Sequence, residues 1–242
     1  MENKVVAIHQ PDFIPWLGFY YKAAHCDQFV WLDDAQYSNM AAHNFNFIKT
    51  SQGRYTLKVP VEQHLGDPII SVRTRDELGW KKKHLMTLEM NYKRARHFDE
   101  FFPMISRVIL GDHRNIAELN IEMNSMILEG FGIMRPYVRT SEMNFSFEGR
   151  EDRIIEICSA LGAAEYLSGN GARVYQDGKH FEARGVKLSY LDYKPIEYRQ
   201  LWPKVGFIDC LSVVDYIFNC GFDWDQVEEK VKELNNGNRQ LY

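Results

Sequence analysis

The sequence predicts an α/β protein with a Rossmann-like N-terminal βαβ core, a helical insertion or lobe, and a C-terminal part that returns to the core. The first observation is a βαβ pattern: an apolar, β-branched run at 4–8, a helical stretch at 18–26 and an apolar run at 29–32. The second is a change to helical spacing of apolar residues from 80 to 129. The third is a return of short strand-like runs after residue 160, each beside a glycine.

The remaining strands and helices are predicted from local apolar patterns and from the glycines and prolines between them. Alternating or apolar runs predict further strands at 54–61, 69–73, 164–167 and 186–190. Helical patterns occur at 98–110, 115–128, 150–161, 211–219 and 225–235. We expect a single domain over 1–242, with an α/β core at about 1–75 and 150–221 and a helical lobe at 80–130.

Composition excludes several classes of protein. The 242 residues are 45% hydrophobic and 26% charged, which is ordinary globular usage. The net charge is 29 − 33 = −4, so no global basic field indicates a nucleic-acid partner. The aromatic share of 14% indicates either a bulky core or a pocket that stacks a ligand.

The N-terminus has no basic segment followed by an apolar stretch, and no run of about 20 apolar residues occurs. We therefore expect a cytoplasmic protein without a membrane segment. The four cysteines have no CxxC spacing and no HExxH motif is present, so we expect no metal site. Cys158 and Cys220 lie in apolar contexts, where a thiol is usually inert.

Polar pairs follow the first two predicted strands, where ligands bind in open parallel sheets. His9 is a candidate general base or phosphate partner, or else it hydrogen-bonds to the proline-rich loop that follows. Gln10 is a candidate for orienting a substrate amide or carbonyl, or else it caps the loop. Asp33 and Asp34 would point to opposite faces of a regular strand, so we expect one to act as a base or ligand and the other as a cap.

Other candidates lie farther along the chain. A polar loop contains His43, Asn44, Asn46 and Lys49, and it is either suited to sugar hydroxyls or a carbonyl or merely solvated. His84 and Tyr92 share one helix face with Trp80 and Leu88, a stripe that is either core or a site containing a catalytic His84. Ser168 and Gly169 resemble a phosphate-cradling turn, although no GxGxxG or GxxxxGK[ST] motif is present. Asp209, Ser212, Asp215 and Asn219 are expected on one helix face, in a functional or a capping role.

Several motifs, in this order, resemble the WbqC-like protein family over about residues 4–221. They are HQPDFIPWLG at 9–18, DDAQ at 33–36, NFNFIK at 44–49, LKVPV at 57–61, YLSG at 166–169, Tyr175, and FIDCLSVVDYIFNCG at 207–221. The opening and closing motifs are specific in combination. The resemblance implies a process, the biosynthesis of bacterial surface polysaccharide (O-antigen) or unusual amino sugars. It also indicates that several aromatic rings, among them Trp16 and Tyr175, shape a sugar- or base-binding cleft.

In this process, the expected reaction is transfer of an acyl or aminoacyl group, such as glycyl, to the amine of a nucleotide-linked sugar. The donor would be an aminoacyl-tRNA, a carrier thioester or an activated acid, and no cofactor is indicated. The family usually has an arginine where this chain has Phe45, so Lys49 or Arg54 would have to bind any anion there. The candidate catalytic residues are His9, Asp33 and His84; the candidate substrate-binding residues are Gln10, Trp16, Asp34, Asn44, Asn46, Lys49, Tyr92, Ser168, Gly169 and Tyr175.

Two alternatives remain open. The first strand, histidine and following helix are also similar to nucleotidylyltransferases that use ATP or CTP, but the second histidine of their HxGH motif is absent. The protein would otherwise be a non-catalytic binding protein of the same pathway. The sequence does not indicate an oligomeric state.

Overall fold

A computed structural model describes residues 3–143 and 150–237. The strands are β1 (Val5–His9), β2 (Gln28–Trp31), β3 (Phe45–Thr50), β4 (Gly53–Lys58), β5 (Val61–Glu62), β6 (Arg73–Thr74), β7 (Tyr137–Arg139), β8 (Glu165–Ser168) and β9 (Lys187–Tyr190). The helices are α1 (Leu17–Ala24), α2 (Trp80–Tyr92), α3 (Phe98–Leu110), α4 (Ile116–Gly130), α5 (Arg150–Ala160), α6 (Gly178–Ala183), α7 (Val213–Cys220) and α8 (Trp224–Gly237).

Five strands form a parallel sheet in the order β7-β2-β1-β8-β9. Counted in order along the chain, these five strands lie in the order 3-2-1-4-5, which is that of a doubly wound nucleotide-binding sheet. This confirms the α/β class with a Rossmann-like core. The chain winds outward from β1 in both directions, so the strand order reverses between β1 and β8. Ligands of open α/β sheets bind outside the carboxyl ends of the strands at this point.

The sheet is covered on both faces because its side chains alternate. Ala7, Phe29 and Trp31 belong to a large core that also includes α1 and the helices of the insertion. Val6, Ile8 and Val30 point the other way, into a smaller core with residues of α5 and α6. His9 lies two residues after Ala7, so its side chain points to the same face of the sheet. Its ring contacts Phe19 of α1, with centroids 4.9 Å apart.

Residues 32–136 form the insertion between β2 and β7. It contains the antiparallel β3–β4 hairpin and the three helices α2 to α4. α3 packs against both α4 and α7, and α7 also contacts β3. The insertion therefore packs against the C-terminal helix α7, while β8 and β9 show the predicted return of the chain to the core. None of the helices in the described ranges is both long enough and apolar enough to cross a bilayer.

Two local predictions need correction. The expected strand at 69–73 is a short 3₁₀ turn, Ile69–Ser71, followed by the two residues of β6. Its backbone is turned because Ile69 and Ile70 donate to the carbonyls of Ala35 and Asp33 instead of to a neighbouring strand. The strand expected at 54–61 is divided into β4 and β5 around Pro60, which has no N–H to donate.

Candidate functional site

The loop from Gln10 to Trp16 leaves β1 with a strained backbone held by asparagines. Ile14 has φ of +35°, an uncommon conformation for a β-branched residue. Asn46 Nδ2 donates to the carbonyls of Phe13 and Ile14, at 3.1 and 3.0 Å. Asn120 and Asn124 of α4 hold the carbonyls of Pro11 and Asp12, each at 2.8 Å. The end of β1 is therefore rigidly positioned by groups from the insertion.

His9 stands at this end of β1 with one ring nitrogen engaged. Its Nδ1–H donates to the carbonyl of Gln10 at 2.9 Å, and the side chain is 31% exposed. Burial lowers the pKa of His9, with a further lowering by Lys22 and an opposing effect of Asp12. The neutral ring therefore keeps a lone pair on Nε2, as a general base requires.

Asp12 lies between two histidines. Its Oδ2 is 3.8 Å from Nδ1 of His9, and its Oδ1 is 3.1 Å from Nδ1 of His43. His43 is fully buried, and its Nε2 has no hydrogen-bond partner among the described residues. Tyr37, whose ring centroid is 5.5 Å from that of His43, also has a buried, unpartnered hydroxyl. The site thus contains an Asp–His pair that sequence reasoning missed.

We expect Asn120→Ala to lower the free energy of unfolding by about 2 kcal/mol, because the carbonyls of Pro11 and His43 lose their buried donor. Urea denaturation measures the change. Asn91→Ala is the matched control, since Asn91 Nδ2 donates only to Thr87 of its own helix, and its cost should stay below about 0.5 kcal/mol. Equal effects in the two variants would show that Asn120 does not anchor the loop.

Asp33 and Asp34 follow β2 but lie in a turn, not on opposite faces of a strand. Asp33 is fully buried and accepts from Arg139 Nε and Ser141 Oγ, both at 2.7 Å, and from Ser141 N–H at 2.9 Å. Asp34 pairs with Arg153 and Thr140. The oxygens of Asp33 are occupied by protein donors. Its proposed role as a base stays a prediction, and this geometry gives that role no support.

Lys49 and Tyr92 belong to a buried network. Lys49 Nζ donates to the carbonyl of Gly206 at 2.6 Å and to Gln200 Oε1 at 3.1 Å. Tyr92 OH accepts from the backbone of Lys49 and donates to Asp215 at 2.8 Å. Burial raises the pKa of Asp215 to about 6, although the hydroxyl donors and Lys49 act in the opposite direction. The network joins β3 to α7.

The two cations expected to replace the family arginine, Lys49 and Arg54, are both bound to protein groups. Besides the buried Lys49, Arg54 donates to the backbone carbonyl of Asp209 and pairs with its carboxylate at the surface. Both cations therefore already have protein partners. Their expected role in binding an anion stays a prediction.

The other predicted substrate-binding residues are dispersed. Gln10 lies in the loop beside His9, whereas Asn44 is buried and bonds through Nδ2 to the carbonyl of Val59. Ser168 and Gly169 follow β8, next to β1 in the sheet, but Ser168 is buried and donates to Gln176 at 2.8 Å. Tyr175 is largely exposed.

Trp16 packs edge-on against Tyr193, with centroids 5.2 Å apart, and remains partly exposed. Its ring also covers Gly18, where a Cβ would approach the ring to 2.6 Å. This contact explains a glycine in the first turn of α1. Trp16 is the last residue of the loop that follows His9.

The helical stripe is confirmed as one buried face, formed by Trp80, His84, Leu88 and Tyr92. His84 contacts Trp80 and Phe13 edge-on, with centroids 5.0 and 6.0 Å apart. It thus touches the loop that follows β1, but within residues 3–143 and 150–237 it forms no hydrogen bond to His9, Asp12 or His43.

Comparison with known proteins identifies the family. The sequence pattern of the WbqC-like protein family matches residues 10–227. The chain belongs to this family. It is 33% identical over 226 residues to the uncharacterised protein Rv1507c of Mycobacterium tuberculosis, covering 90% of this chain and 94% of the relative. No solved structure matches significantly.

In this WbqC-like protein, the ionisable groups that contact one another at the end of β1 are His9, Asp12 and His43. Within residues 3–143 and 150–237, no group of three or more His, Cys, Asp or Glu side chains is arranged to hold a metal ion. The available groups are a partly exposed imidazole and a carboxylate linked to a second imidazole. They are suited to moving a proton.

Sequence reasoning overlooked three parts of this site: Asp12, Asn120 and Asn124. Asp12 was available as a signal, because it lies three residues after His9 in the family motif. Asn120 and Asn124 lie four residues apart on an otherwise apolar helix face, and both are fully buried. Two amides in such a stripe indicate that buried carbonyls lie opposite them.

Proposed function

We propose that this protein is a transferase that moves an acyl or aminoacyl group to the amine of a nucleotide-linked sugar. The main support is the position of His9 at the end of β1, beside the point where the strand order of the sheet reverses. Its Nδ1–H donates to the Gln10 carbonyl, and its Nε2 has no hydrogen bond among the described residues. The family resemblance supports the substrate class, since it implies surface-polysaccharide or amino-sugar biosynthesis. The donor would be an aminoacyl-tRNA, a carrier thioester or an activated acid.

In the proposed step the neutral amine attacks the carbonyl carbon of the donor and a C–N bond forms. His9 Nε2 takes the proton that the amine loses as this bond forms. The tetrahedral intermediate then collapses, the bond from carbon to the leaving group breaks, and the protonated His9 returns the proton to the departing oxygen or sulfur. Atoms and charge balance without a redox partner. A ring that is neutral at pH 7 suits the first part of this cycle.

Asp12 acts as a positioning residue in this scheme. Its carboxylate, 3.8 Å from Nδ1 of His9, favours the imidazolium that forms when His9 takes up a proton. Its other oxygen contacts His43, so the carboxylate has a defined orientation. We therefore place Asp12 beside the base and not among the groups that touch substrate.

The experiment uses the purified chain, a UDP-linked amino sugar, and glycyl-tRNA or a glycyl thioester as donor, with product detected by mass. We expect a mass increase of one glycyl group with the wild-type protein. His9→Gln should lower kcat by roughly 10²- to 10⁴-fold, the usual contribution of a general base.

His64→Gln is the matched control, because His64 is largely exposed and lies outside the site. It should turn over at the wild-type rate. Turnover unchanged in His9→Gln would contradict the role of His9. A complete lack of product with all donors, together with binding of the sugar nucleotide, would favour a non-catalytic binding protein.

A nucleotidylyltransferase-like activity is the second candidate, favoured by the 3-2-1-4-5 strand order. It would join a nucleotide from ATP or CTP to a phosphorylated sugar, with release of pyrophosphate. Thermal stabilisation by ATP or CTP with Mg²⁺, and pyrophosphate release on adding the sugar phosphate, would favour it over acyl transfer.

A further inference from the structure

A pocket of about 370 Å³ lies between the β4 strand and the first turns of α2, outside the site at β1. Its walls include Thr56 and Lys58 of β4, and Trp80, Lys83 and His84 of α2. No aspartate or glutamate is among the residues that line it. The formal charges in its lining are therefore those of Lys58 and Lys83, in a chain whose net charge is −4.

The two lysines of this pocket have no protein counter-charge. Lys58 and Lys83 are exposed, and neither forms an ion pair with any residue in the described part of the chain. By contrast, Lys81 on the same helix pairs with Asp76 at 2.6 Å. The charges of Lys58 and Lys83 are therefore available to a ligand.

His84 also lines this pocket and has a buried ring nitrogen without a partner in the described part of the chain. Its side chain is only 6% exposed, yet Nε2 has no hydrogen-bond partner within residues 3–143 and 150–237. A buried ring nitrogen without a partner costs free energy, and native proteins generally satisfy such atoms with a protein group, a water or a ligand. Here the unsatisfied atom belongs to a residue that lines the pocket, as Lys58 and Lys83 also do.

The α2 helix also begins at this pocket. Its N-cap residue is Gly79, which has no side chain to accept from the first turn, and the first turn contains no acidic residue. The carboxylate of Asp76, just before α2, accepts from Trp80 Nε1 at 2.7 Å and pairs with Lys81. The positive end of the helix dipole thus adds to the charge of the lysines.

We propose that this pocket binds an oxyanion, a phosphate or carboxylate group carried by a small molecule. Lys58 and Lys83 provide the charge, and the ring of His84 forms part of the pocket wall. This proposal does not depend on the proposed transferase activity, because it rests on the lining of this pocket and not on His9 or Asp12.

The test titrates the purified chain with inorganic phosphate and, separately, with acetate, at constant ionic strength in chloride. Heat of binding and the ring ¹⁵N signal of His84 are measured. We expect saturable binding of at least one anion, with a shift of the His84 signal. The relative affinity of phosphate and acetate then distinguishes the two sources of the oxyanion.

Lys58→Gln combined with Lys83→Gln should weaken binding by about tenfold or more. Lys82→Gln is the matched control, because Lys82 is exposed on the same helix but does not line the pocket. All variants change exposed side chains, so circular dichroism should show intact folding. The proposal is overturned if neither anion binds saturably, if the double variant binds as the wild type does, or if Lys82→Gln weakens binding equally.

Discussion

Asp33→Ala should lower the free energy of unfolding by about 3–5 kcal/mol, the largest effect on stability that we expect from a single substitution. Asp33 is fully buried, and its carboxylate is the partner of the guanidinium of Arg139 at 2.7 Å. Its loss leaves that charge uncompensated and also removes the acceptor of Ser141 N–H and Oγ. Urea denaturation of the two proteins at pH 7 measures the difference.

Asp209→Asn is the control for this substitution. Its ion pair with Arg54 lies at the surface and is 3.5 Å long, so its removal should cost less than about 1 kcal/mol. The contrast separates a buried ion pair from an exposed one in the same chain. Asp33→Ala with near wild-type stability would contradict a structural role and would return Asp33 to the list of candidate bases.

Lowering the pH from 7 to 4 should cost the wild-type protein up to about 3 kcal/mol of stability through His84 alone. Burial lowers the pKa of His84 from 6.5 to about 4, so the folded protein binds fewer protons than the unfolded chain between these values. A depressed pKa gives stability that is present above 6.5 and lost as the pH falls toward 4. His84→Phe, which keeps an aromatic ring beside Trp80 and Phe13, should not show this loss.

The measurement is the difference in free energy of unfolding between wild type and His84→Phe across this range, in a buffer without phosphate. The difference cancels the contribution of Asp215, which has the opposite sign. Its pKa is raised to about 6, so its stabilising effect is present below pH 3.8 and lost as the pH rises through 6. Parallel curves for wild type and variant would show that His84 does not titrate in this range.

Much of the core could be predicted because its signals are local. Val5–His9 is a β-branched run that stops at a proline-rich loop, and β2 follows after one short helix. Two such strands joined by a helix form a parallel pair, so the position of His9 at a strand end was predictable. The 3₁₀ turn at Ile69–Ser71 was not, since its backbone partners lie more than thirty residues away in the chain.

The candidate site was predictable only in part. His9 was found from its place after β1, whereas the partners of Asp12 and of the loop carbonyls come from residues 43, 46, 120 and 124. Pairings between such distant residues leave no periodic signal in a single sequence. Lys49 illustrates the reverse case: it looked like a ligand-binding cation, and folding buried it against Gln200 and Gly206.

The sequence by itself determined the α/β class, the helical insertion, the family and the choice of His9 as a candidate functional residue. These depend on local periodicity and short motifs. Only the tertiary structure decided which polar groups are occupied and which are free. Asp33 and Lys49 are bonded to protein partners, whereas His9, His43 and His84 each keep a ring nitrogen without one in the described part of the chain. The physical reason is that a polar group's chemistry depends on its neighbours in space, and these are brought together by packing of the insertion and the C-terminal helices around the sheet.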